Sequence, residues 1–100
     1  MARAADVILE QLGGNKFMAM TGAYALVATK NGLSFKLPNG TEAGINYVSV
    51  MLDPDDTYSL SFQRWRWKTL EKVSETRVEG IYNANLRAVF TMHTGLDTSL

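Results

Sequence analysis

Two periods of apolar and polar residues run through this chain. Over residues 2–12, Ala4, Val7, Ile8, Gln11 and Leu12 fall at helical spacing, with Asp6 and Glu10 on the other side. That spacing predicts a first helix. Asp6 near its start complements the helix dipole. Gly13-Gly14 stops it, because glycine accepts the left-handed backbone that ends helices. The apolar stretch Phe17–Gly22 has no clear period and reads as a buried connector or short strand.

A period of two then takes over. Residues 24–29 and 33–37 predict two strands, the second with Leu33, Phe35 and Leu37 on one side and Ser34 and Lys36 on the other. Lys30-Asn31-Gly32 between them reads as a hairpin turn using positive φ. Pro38 ends the strand, and 38–44 reads as a polar loop. Residues 45–52 predict a third strand, and Asp53-Pro54-Asp55-Asp56 a turn. The fourth strand, 57–64, has the cleanest alternation: Tyr58, Leu60 and Phe62 inward, Thr57, Ser59, Ser61 and Gln63 outward. A weaker fifth strand covers about 70–78, including Leu70, Val73 and Val78.

Helical spacing returns over 81–94. Ile81, Asn85, Ala88, Val89 and Met92 form one stripe, widened by Tyr82, Leu86 and Phe90, and Gly95 terminates it. No internal repeat, low-complexity segment or linker interrupts the pattern. The prediction is one α+β domain over residues 1–100: a helix, an antiparallel meander of four to five strands, and a second helix. Both helices pack on the sheet face of Tyr58, Leu60 and Phe62.

Composition narrows the chemistry. The 100 residues include no cysteine, a single histidine, and equal numbers of cations and acids, ten of each. Without cysteine there is no disulfide framework, thiolate metal site or Cys nucleophile. His93, with no sequence-adjacent partner, reads as a helix C-terminal residue rather than a general base. Asp53, Asp55 and Asp56 lack the ligand spacing of a calcium loop and read as a solvated turn. No phosphate loop, dinucleotide fingerprint, zinc pair or nucleophile elbow is present. A catalytic role, a cofactor and a metal are therefore not expected. No apolar run reaches the roughly 20 residues of a membrane span, and there is no secretory signal, so a cytoplasmic protein is expected.

One segment stands out. Arg64-Trp65-Arg66-Trp67-Lys68 lies in a stretch, 64–77, that holds five of the ten cations. In an extended chain Arg64, Arg66 and Lys68 project to one face, and Trp65 and Trp67 to the other. Three readings follow. The rings fold onto the sheet with solvated cations; the Trp and Arg residues anchor a protein interface; or the strip binds nucleic acid through phosphates and base stacking. The acids at 53–56 offset the long-range positive field and count against the last.

Several phrases occur as an ordered set: Ile8–Phe17, Met20–Ala23, Leu33–Pro38, Asp56-Thr57-Tyr58, Gly80-Ile81-Tyr82, Val89-Phe90-Thr91 and Thr94-Gly95-Leu96. Together they resemble a family of small uncharacterised proteins encoded by bacteriophages, prophages and related mobile elements. The resemblance spans nearly the whole chain. It implies a mobile-element origin and a bacterial cytoplasmic setting, and it assigns no catalytic or ligand residue. Two features depart from it. The last helix opens Gly80-Ile81-Tyr82-Asn83-Ala84-Asn85-Leu86 where the family pattern is Gly-Val-Tyr-Ala-Asp-Met-Leu, so the acid is missing. The Trp65/Trp67 pair lies outside the shared pattern. The expectation is a non-catalytic accessory protein that binds a protein partner or itself, with nucleic-acid binding through 64–68 as the alternative.

Overall fold

A computed structural model describes residues 4–38 and 44–96. Positions 2–3 of the first helix, most of the expected 38–44 loop and the last four residues lie outside that range. The element order is α1 (Ala4–Leu12), α2 (Asn15–Thr21), β1 (Tyr24–Ala28), β2 (Gly32–Lys36), β3 (Tyr47–Leu52), β4 (Tyr58–Arg66), β5 (Glu71–Ile81), a 3₁₀ turn (Asn83–Asn85) and α3 (Leu86–Thr94). The strands form one antiparallel sheet in the order β1-β2-β3-β4-β5. The chain is thus an α+β meander flanked by helices.

Burial follows the alternation on one side of the sheet. Phe35, Val48, Val50, Tyr58, Leu60 and Phe62 are buried beneath Ile8 and Leu12 of α1, Phe17 of α2, and Leu86 and Phe90 of α3. Four phenylalanines lock the layers together. Phe17 meets Phe35 and Phe90 edge-on, each at 5.3 Å between centroids, and Phe62 lies 6.5 Å from Phe90. Edge-to-face contact suits the ring quadrupoles and adds about 0.5–1.5 kcal/mol per pair to simple burial. The Tyr58 hydroxyl donates to Gln11 Oε1 at 2.5 Å, tying β4 to α1.

Four local expectations are corrected. Residues 17–22 belong to a helix, not a strand or connector. Phe17 and Thr21 are one helical turn apart and both buried. The Thr21 hydroxyl donates to the Phe17 carbonyl at 2.7 Å and accepts from the Ala23 N–H at 3.2 Å, and Gly22 closes the helix at φ 71. The same device ends α3: Thr94 donates to the Phe90 carbonyl and accepts from the Leu96 N–H, and Gly95 adopts φ 75. Phe-x-x-x-Thr-Gly is therefore a twice-used helix ending.

The second correction concerns Asn31-Gly32. Neither residue takes positive φ. Gly32 instead opens β2, where a Cβ would lie 2.1 Å from the Val50 carbonyl oxygen. Glycine is needed for close backbone approach.

Third, the last helix starts later and turns a different face inward. Ile81 ends β5, and a 3₁₀ turn precedes α3. The buried stripe is Leu86, Phe90 and Thr94, while Asn85, Ala88 and Met92 are exposed. Large Leu and Phe side chains set the phase, because burying them removes more apolar area than burying Ala88.

Fourth, β5 is longer than expected, and Leu70 lies in the turn before it, exposed, at φ 54. Thr57 and Ser59, expected outward and polar, are buried beside the 53–56 turn.

Both sheet edges carry bulges. An extra residue enters β1 where Ala25 adopts φ 53. In β5, extra residues enter between Lys72 and Ser74, and between Val78 and Ile81, where Gly80 takes φ 70.

Candidate functional site: the helix-free face of the sheet

Among the described residues, no helix covers the second face of the sheet. Strand register arranges its side chains in rows. One row runs Lys36–Tyr47–Gln63–Glu75 across β2 to β5. The next, two residues along each strand, runs Ser34–Ser49–Ser61–Arg77. Large side chains thus form a ridge beside a trough floored by three serines.

Trp65 and Trp67 extend the ridge. Their rings lie 5.5 Å apart and within 3° of parallel. Tyr47 presents an edge to both, at 6.5 and 6.1 Å. Lys36 Nζ sits 4.6 Å from the Trp67 ring centroid, a cation–π contact. Both tryptophans are half-buried, so their rings neither vanish into the core nor stand free.

Two sets of hydrogen bonds fix this arrangement. Buried Asn46 holds the backbone of Trp65 from both sides. Its Nδ2 donates to the Trp65 carbonyl and its Oδ1 accepts from the Trp65 N–H, each at 2.8 Å. A relay then crosses the face. Trp65 Nε1–H donates to Gln63 Oε1 at 2.7 Å, and Gln63 Nε2 donates to the Ser61 hydroxyl at 2.8 Å. The Ser61 hydroxyl donates to Glu75 Oε2 at 2.5 Å, and Lys72 Nζ donates to Glu75 Oε1 at 3.3 Å. The Ser61 bond, then Lys72 and Arg77, hold the Glu75 carboxyl below its ordinary value.

The basic residues of 64–68 stand elsewhere. Arg64 alternates with Trp65 onto the opposite side, its side chain lying across Gly44. Arg66 pairs with Glu71 at 3.7 Å, both exposed. Trp67 and Lys68 lie in the turn after β4. Arg64 and Arg66 therefore do not share a surface with the Trp65 ring, and among the described residues Lys36, from β2, is the cation seen over an indole. Lys36, Asn46, Tyr47 and Gln63 were not singled out from sequence; register alone brings them to Trp65 and Trp67.

The acidic turn is internally bonded. Asp55 Oδ1 accepts from the Thr57 hydroxyl at 2.6 Å and the Thr57 N–H at 3.2 Å, which holds its carboxyl below the ordinary range. Ser59 donates to Asp53 Oδ2 at 2.5 Å. A recess of about 680 Å³ beside the turn is also lined by Arg77 and Glu79, which pair with each other at 3.2 Å. Among the described residues, no three His, Asp or Glu side chains converge to hold a metal. His93 stacks on Phe62 at 4.6 Å, 20° from parallel.

No family model, curated protein or solved structure matches the chain. The described helices include none long and apolar enough to cross a membrane.

Proposed function

We propose that the protein is a non-catalytic accessory protein of a phage or mobile element, acting in the bacterial cytoplasm by binding a protein partner or itself through the helix-free face. The observation that carries this reading is the half-buried Trp65–Trp67–Tyr47 cluster, held by Asn46 on a sheet face without helices. Rigid amphipathic aromatics give large contact area at low entropic cost, and Trp, Tyr and Arg are the residue types enriched at interface hot spots. The mobile-element part rests on the sequence resemblance. The non-catalytic part rests on Asp53 and Asp55, whose carboxylates are engaged in turn bonds, and on His93, which is engaged with Phe62.

Nucleic-acid binding is the weaker reading. As read from the 64–68 strip, it needs Arg64 and Arg66 beside the rings, and both lie on the other side of the hairpin from Trp65.

The test compares Trp65→Ala with Arg64→Ala/Arg66→Ala. We expect Trp65→Ala to weaken partner capture or self-association by about 1–3 kcal/mol, with the double arginine variant near wild type. Binding to single-stranded nucleic acid that falls steeply with salt and disappears in the arginine variant would transfer the function to the alternative.

A further inference from the structure

The helix-free face is complementary to itself. The ridge Lys36–Tyr47–Gln63–Glu75 and the trough Ser34–Ser49–Ser61–Arg77 lie side by side, about 7 Å apart at the ~3.4 Å rise of each strand residue. A two-fold axis in the plane of an interface, parallel to the rows and midway between them, lays each ridge on the trough of a second copy. Tyr47 then meets Ser49, and Gln63 meets Ser61, large against small at each central strand. Trp65, one step further along β4, meets the row of Met51 and Ser59.

Charge decides the match. The charges that β5 contributes to this arrangement read Lys72, Glu75, Arg77, Glu79, an alternation of plus and minus. Reversed, that string is complementary to itself. The same axis sets Glu75 against Arg77 of the second copy and Lys72 against Glu79 of the second copy, each pair occurring twice. Within one chain these groups make exposed pairs, Lys72 with Glu75 at 3.3 Å and Arg77 with Glu79 at 3.2 Å. Exposed pairs are worth little and exchange easily.

We propose that the protein forms a symmetric dimer in which two helix-free faces stack as a β-sandwich about this axis. Reversing the strand direction across the interface gives the aligned packing that twisted sheets adopt. Five strands spaced ~4.8 Å apart and about six residues long project roughly 500 Å². The accessible area over such a plane is larger, approaching the ~800 Å² that a standard interface takes from each partner. The bulged edges at Ala25, Lys72–Ser74 and Gly80 break the ladders that edge-to-edge pairing would need, which disfavours association through the edges.

This inference rests on the binding reading above and narrows it to a second copy. Sedimentation equilibrium tests it with a charge exchange. Wild type is expected to dimerise. Glu75→Arg and Arg77→Glu, each alone, place like charges across the axis and should raise the dimer Kd by about 100-fold or more. Their equimolar mixture restores both contacts and should form heterodimers within about 10-fold of wild-type affinity. Ser49→Lys fills the trough without altering those charges and should also dissociate the dimer, with circular dichroism reporting that each variant is folded. A monomeric wild type, single variants that dimerise normally, or a mixture that stays monomeric would overturn the proposal. A monomeric wild type leaves partner binding to be decided by the Trp65→Ala capture test, so the two readings fail separately.

Discussion

Asn46 is the residue on which the face turns. It is buried, yet its side chain spends both polar atoms on the backbone of Trp65. Those two bonds stand in for a strand partner just beyond Tyr47↔Gln63, where the β3–β4 ladder ends. Asn46→Ala should cost about 1–3 kcal/mol, since it leaves the Trp65 N–H and carbonyl unmet. Urea unfolding measures that loss, and tryptophan emission should shift to the red as the rings loosen. An unchanged midpoint and emission would mean that Asn46 does not position the pair. At this scale the sequence revealed Trp65 and Trp67 as unusual and separated them from the neighbouring cations by alternation. It did not reveal Asn46, Tyr47 or Lys36 as their partners. Contacts between residues 19 or 31 positions apart depend on register, which no local pattern encodes.

At the level of elements, Gly32 shows how turn chemistry misleads. Asn-Gly suggests a positive-φ hairpin, but β2 starts at the glycine because β3 runs too close for a side chain. Gly32→Ala should therefore destabilise by about 1–3 kcal/mol, with thermal unfolding as the readout. A neutral change would show that β2 and β3 can separate at no cost. Only β3 shows a simple one-face burial: β1 has no buried residue, and β2 and the start of β4 are buried on both faces. Strands β1 to β4 were still legible within a few residues, from short apolar runs bounded by turn residues. The seven-residue α2 was not, since two turns carry too few apolar positions to establish a period. Its Phe17-x-x-x-Thr21-Gly22 ending, repeated at Phe90-x-x-x-Thr94-Gly95, was the available signal. The phase of α3 was misread because the 3₁₀ turn resets the count before Leu86.

For the whole molecule, the α+β architecture was legible because hydrophobic period and glycine punctuation agree along most of the chain. Electrostatics adds a pH dependence. Ser61, Lys72 and Arg77 lower the Glu75 carboxyl from its ordinary value of 4.5, and Thr57 lowers Asp55 from 3.8. A depressed folded value means that the unfolded chain takes up protons first as pH falls. Stability from these groups is therefore full above the ordinary carboxylate range and is lost as pH drops through it toward the folded values. Denaturant midpoints should hold steady above that range and fall below it. Glu75→Gln should flatten part of the fall, and an unaltered acid limb would remove Glu75 from the account. The zero net charge conceals local order: the alternating signs along β5.

The cation over Trp67 has a magnetic consequence. Protons held above an aromatic ring are shielded by its induced current. With Lys36 Nζ 4.6 Å from the indole centroid, the terminal methylene resonances of Lys36 move upfield, away from those of the other lysines. The Trp65 indole proton, bound to Gln63, gives a second marker two residues from the first ring. One proton spectrum of unlabelled protein thus carries a signature of this face, and anything that seats there must disturb it.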